Sequence, residues 1–218
     1  MLIDPFRLNV AFVPLAAYCL LLGLINLRRR PLLTTGARDL ASLSLAVAGL
    51  VAVGPLDLFM PATAANRFGP YVWLLLLAVY ALIVTFLILS ARPRLVLYNI
   101  STDTLRPILA EVAVGLDRGA RWAGDSLFLP ALGIQLHLEG FTAMRNVSVI
   151  ASEPRQDPGK WRRLEIALAS AIRPICVAPN PRGAALVALG LGVMAICLVL
   201  IVADPQGVID GWQAMMGR

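Results

Sequence analysis

The chain reads as a polytopic α-helical membrane protein with an α+β domain set into its helices. Three observations predict this. Four apolar blocks, at 10–27, 40–60, 71–91 and 183–203, each have about the length that carries a helix across a bilayer core, ~20 residues at ~1.5 Å rise. One polar island, 92–182, separates the third block from the fourth and holds most of the charge. Of 218 residues 59% are apolar, and the mean hydropathy of +0.78 is too high for an ordinary soluble domain. The expected organisation is three transmembrane helices in 1–91, one small domain in 92–182, and a fourth helix with a short external tail in 183–218.

The first span contains Pro14, a site for a mild kink. The second carries Ser44, Ala48 and Ala52 at four-residue spacing, and the fourth carries Ala184, Ala188 and Gly192 in the same pattern. Small residues on one face let helix backbones approach closely, either within this chain or against another subunit. The third span is rich in Leu and Val, lacks such a stripe and is expected to face lipid. Asp57 is the one ionisable group within a span, near its outer end, where a headgroup-level carboxylate is the simpler role and an ion or proton site the sharper one. Asn9 and Asn26 flank the first span at interface depth.

Arginine placement orients the spans. Arg28, Arg29, Arg30 and Arg38 fill the first connection, whereas Pro61 to Pro70 holds only Arg67. Arg92 and Arg94 follow the third span, and Arg173 and Arg182 precede the fourth. These basic zones share one side if both termini lie outside and the island is cytoplasmic, in a cell (inner) membrane. The N-terminus, with Asp4 and one base, is not expected to be a cleavable signal. Tyr18 before Cys19 spoils a lipoprotein cleavage site. The excess of arginine, with Lys160 the sole lysine, suggests a GC-rich bacterial genome. The sequons at Asn99 and Asn146 read as chance on a cytoplasmic domain.

Within the island, Arg94–Asn99 is a short β-type run. Asp103 or Thr104 is expected to cap a helix with Leu105, Leu109, Val112 and Leu116 on one face, Pro107 falling early enough to need no backbone donor. Ser126–Leu129 and the alternating Ile134–Glu139 follow, with Gln135, His137 and Glu139 on a wet face, then Asn146–Ala151 as the antiparallel partner. Gly159–Arg173 is a second helix burying Trp161, Leu164, Leu168, Ala171 and Ile172. Pro174–Ala178 is a candidate last strand. This order, over 94–178, resembles the ferredoxin-like βαββαβ arrangement, with 126–129 as an extra strand.

Chemistry is sparse. The single histidine, His137, excludes paired-histidine metal sites, and without a partner and pocket it reads as a solvated strand residue. The three cysteines fit neither a zinc site nor a disulfide framework. No phosphate loop or nucleophile elbow is present, so no cofactor, metal or catalytic residue is implied. Arg121, Trp122 and Asp125 form the most distinctive loop: Trp122 could stack on a ligand while Arg121 pairs with an anion, although capping the small core is the simpler role for the tryptophan. Arg28, Arg29, Arg30, Lys160, Arg162 and Arg163 are candidates for contact with anionic lipid headgroups, each base contributing ~1 kcal/mol. Nucleic acid is not an expected partner, because the sheet offers too few exposed aromatics.

The expected function is therefore a non-enzymatic scaffold, accessory or regulatory subunit. Its cytoplasmic module docks a partner at the bilayer, which is another membrane protein or a second copy of the chain. The alternative is a small oligomeric transporter or channel using Asp57 or Asn26. A membrane-bound enzyme built on Arg121, Asp125, His137 and Glu139 comes third.

Overall fold

The computed structural model describes residues 4–56, 68–153 and 156–215. In chain order its elements are α1 (Pro5–Leu27), β1 (Leu32–Thr35), α2 (Gly36–Val51, widening into a π-helical turn over Ala52–Leu56) and α3 (Tyr71–Ser90). There follow β2 (Arg94–Tyr98), α4 (Thr102–Leu116), β3 (Arg121–Ala123), β4 (Ser126–Leu129), β5 (Ile134–Phe141) and β6 (Asn146–Ala151). The chain continues through α5 (Pro158–Ile172), α6 (Arg182–Ala203) and α7 (Pro205–Met215). Four helices, Pro5–Leu27, Gly36–Leu56, Tyr71–Ser90 and Arg182–Ala203, are long and apolar enough to cross a membrane. α1 starts ahead of its apolar block because Asp4 caps it, accepting the N–H of Phe6 at 2.9 Å and of Arg7 at 3.2 Å.

The chain divides into two compact units, one of Met1–Leu21, Ala41–Leu89 and Leu186–Arg218, the other of Leu22–Leu40 and Ser90–Ala185. In the helical unit, small residues set the close approaches. A Cβ on Gly49 of α2 would collide with the Val10 carbonyl oxygen of α1, and one on Gly190 of α6 would stand 2.9 Å from the Ala16 carbonyl oxygen. The Tyr80 hydroxyl donates to the Ser44 carbonyl at 2.7 Å and ties α3 to α2. Along α3, Leu74, Leu82, Phe86 and Leu89 are all exposed. On α6 the stripe Ala184, Ala188 and Gly192 is exposed as well, so the close approach to α1 runs through Gly190 instead.

The tail expected after the fourth block is helical. Pro205 opens α7, and the Asp204 carboxylate accepts the Gly207 N–H at 2.8 Å. The Trp73 indole N–H donates to the Met215 carbonyl at 2.7 Å, and the rings of Phe6 and Trp212 meet edge to face at 5.6 Å.

The second unit is a six-stranded antiparallel sheet in the order β1-β2-β6-β5-β4-β3, with α4 and α5 packed on one face. Alternation along the strands sends Leu95, Leu97, Leu127, Leu136, Val147 and Val149 to the helix side. There they meet Leu105, Leu109 and Ala113 of α4 and Trp161, Leu164, Leu168 and Ile172 of α5. The turn between β3 and β4 is tight, and Gly124 supplies its left-handed residue at φ 62°.

Three expectations for this unit are corrected. First, the βαββαβ resemblance fails because Pro174–Ala178 is not a strand: the edge beside β2 is occupied by β1, from a connection in which the sequence suggested no element. The backbone at 174–180 is instead pinned to the end of α1, Val177 N–H donating to the Arg29 carbonyl at 2.8 Å. Second, α4 is capped by Ser101, whose Oγ accepts the Thr104 N–H at 3.3 Å, in place of Asp103 or Thr104. Third, and as a result, Pro107 lies inside the helix and has no N–H to give the Asp103 carbonyl.

Candidate functional site

The face of the sheet away from α4 and α5 is unevenly covered. Near β1 and β2 it is closed, with Val96 and Tyr98 packed against Ile25, Leu22 and Leu32. Beyond β6 it opens. The register aligns Ser126 with His137, Phe128 with Gln135, Glu139 with Ser148, and Phe141 with Asn146, so these side chains share the open face. Phe128 is 44% exposed and Phe141 60%. Between them His137 Nε2 meets Glu139 Oε1 at 3.1 Å. The face thus offers two aromatic side chains around a polar centre, on a rigid platform.

Arg121, Trp122 and Asp125 lie close in the chain but do not converge. Alternation turns Trp122 to the helix side, against the core, where the Arg106 guanidinium lies over its ring at 5.0 Å from the centroid. Arg106 also donates to Asp125 at 3.1 Å and to the Gly124 carbonyl at 2.6 Å, so Asp125 braces the turn. Arg121 is exposed and pairs in register with Phe128 on the open face.

The two basic groups also separate. Arg28, Arg29 and Arg30 are exposed just after α1. Arg145 and Arg182 join them from distant sequence, for Arg145 donates to the Ala178 carbonyl at 3.0 Å and Arg182 to the Ala143 carbonyl at 2.5 Å. None of these five arginines pairs with a carboxylate among the described residues. Lys160, Arg162 and Arg163 sit at the opposite end of α5, about 20 Å along a helix of this length. Trp161 is buried in the core, so it adds no aromatic to that basic surface.

Beneath the arginines lies a buried polar junction that hydrophobic patterning could not reveal. Asn26 is fully buried, its Nδ2 donating to the Leu22 carbonyl at 2.9 Å. Asn99, also fully buried and at φ 59°, donates to the Arg28 carbonyl at 2.6 Å, a placement that leaves no room for a glycan. Asn180 completes the set from between two prolines. Asp39, in the first turn of α2, joins the two ends of β2, accepting from Arg94 at 3.1 Å and from the Tyr98 hydroxyl. Asp57, the candidate intramembrane carboxylate, lies outside the described residues, as does Arg67 in the second connection. No cluster of three metal-ligating side chains occurs among the described residues.

Four membrane-length apolar helices and a six-stranded antiparallel sheet define the class of architecture. Comparisons with protein-family models, curated proteins and solved structures find no match to the chain.

Proposed function

We propose that the chain is a multi-pass protein of a cell (inner) membrane. Both termini lie outside and the sheet unit lies in the cytoplasm. In this reading it is a non-enzymatic scaffold or regulatory subunit, whose sheet docks another membrane protein or a second copy of the chain. The observation that carries the docking role is the half-covered sheet face, where Phe128 and Phe141 remain exposed around His137 and Glu139. The orientation is supported by the arginines at 28–30, 92, 94, 173 and 182. Arg28, Arg29 and Arg30, with Arg145 and Arg182, would rest against anionic headgroups.

A photocrosslinker at position 128 or 141, in the full chain in its native membrane, tests the docking role. It should give a discrete protein adduct that the same group at exposed Ile166, on the helix side, does not. Equal adducts at all three positions, or none with the protein monomeric after gentle solubilisation, would remove the docking face.

A further inference from the structure

Five arginines converge on one hydrogen-bonded knot of the sheet unit. The Arg28 carbonyl accepts from the Asn99 side chain, and the next residue, Ile100, donates its backbone N–H to the Arg145 carbonyl at 2.7 Å. The Arg29 carbonyl accepts the Val177 N–H, and the Ala178 carbonyl beside it accepts from the Arg145 guanidinium. Arg182 closes the knot by donating to the Ala143 carbonyl, two residues before Arg145. Two long helices meet here. A Cβ on Gly183, in the first turn of α6, would stand 2.8 Å from the Gly23 carbonyl oxygen in the last part of α1. Because both helices are long and apolar enough to cross a membrane, the anion nearest to hand is a lipid phosphate.

The five charges form two groups. Arg28, Arg29 and Arg30 are consecutive and exposed after α1. Arg145 and Arg182 are braced, each spending a donor on a carbonyl of the other's segment and keeping the rest of its guanidinium fork for an anion. Arg145 holds this place at φ 50°, a left-handed turn position where glycine or asparagine would be less strained. No carboxylate neutralises either group among the described residues. Two such groups on one knot suit an anion with two linked charges. Once the first phosphate is held, the link presents the second at high effective concentration.

We propose that this knot is a discrete site for a phospholipid whose headgroup links two phosphates, as in diphosphatidylglycerol. One phosphate meets Arg28, Arg29 and Arg30, and the other meets Arg145 and Arg182. This rests on the contact of these arginines with anionic headgroups and adds a selectivity that diffuse attraction lacks.

The test uses the full chain in phosphatidylcholine nanodiscs, with diphosphatidylglycerol bearing a chain diazirine as the probe. Phosphatidylglycerol is the matched competitor, since two copies carry the same phosphates and chains without the link. Labelling should saturate and map to peptides of α1 and α6. Unlabelled diphosphatidylglycerol should compete at a mole fraction roughly tenfold below that of phosphatidylglycerol counted per phosphate. Arg145→Gln with Arg182→Gln should erase that preference, whereas Lys160→Gln with Arg162→Gln, at the other end of α5, should leave it. Equal competition per phosphate in the unaltered protein would overturn the proposal and leave diffuse headgroup contact standing. Labelling that neither lipid competes would remove both. Competition by glycerol 1,3-bisphosphate, which has the link and no chains, would reassign the knot to a soluble anion and overturn the proposal as well. The wild-type comparison decides the matter even if a variant fails to fold.

Discussion

Asn180 holds Asn26 by two contacts, its backbone N–H donating to the Asn26 carbonyl at 2.9 Å and its Nδ2 approaching Asn26 Oδ1 at 3.4 Å. The partners come from opposite ends of the chain, at the last turn of α1 and just before α6. Both are buried, so cutting the pair strands polar groups away from water.

Asn180→Ala should therefore destabilise the sheet unit by about 1–3 kcal/mol, more than the loss of a surface hydrogen bond. Asn26→Leu should cost a similar amount, and the double variant less than the sum, because either change alone already removes the side-chain contact they share. Thermal unfolding of the detergent-solubilised chain reads all three.

Stability and docking should come apart on the two faces of the sheet. Leu164→Ala, at a fully buried site between α5 and the strands, should cost about 2–5 kcal/mol. Phe141→Ser, on the open face, should leave stability within about 0.5 kcal/mol and weaken partner capture instead. Denaturant unfolding beside quantitative cross-linking separates the two effects.

Gly49→Leu should disrupt the helical unit, since its side chain would enter the space of the Val10 carbonyl. The fixed backbone on both sides leaves little room to relax, so a loss of about 1–3 kcal/mol or more is expected. A fall in the melting temperature of the purified protein, with the sheet core intact by hydrogen exchange, is the result to look for.

Native cysteines report the proposed orientation. Cys176 is exposed, whereas Cys197 is buried and Cys19 half-buried. A membrane-impermeant maleimide should label Cys176 only after the membrane is opened, while a cysteine introduced as Asp210→Cys should react in intact cells. Labelling of Cys176 from outside would invert the topology.

Much of the architecture was legible because it rests on hydrophobic period. Each apolar block overlaps one of the four long helices, the stretch of the second beyond Leu56 lying outside the described residues, and Ser126–Leu129 and Asn146–Ala151 are strands over the residues the pattern marked. What escaped had no such signature. Leu32–Thr35 is four residues long and follows three arginines, so its strand character depends on the β2 edge it meets. The Pro174–Ala178 run looked extended, but its place in the sheet was already taken. At the candidate site, His137 and Glu139 were visible as a wet face, while the partition of Trp122 and Arg121 to opposite faces became evident only with the β3–β4 register. Asn26, Asn99 and Asn180 gave no pattern at all, because a buried amide is specified by its distant partners.

Because β1 lies about sixty residues ahead of β2, it must wait during synthesis for most of the second and third apolar helices before its partner edge exists, a non-local closure that slows assembly. The same arrangement governs any attempt to produce the sheet unit alone. A fragment cut at 92–182 would expose the outer edge of β2 and uncover Val96 and Tyr98, inviting strand-to-strand aggregation. Grafting residues 22–40 ahead of residue 90 would restore the missing edge, joining the two separated segments of the unit in their native order with the intervening helices removed.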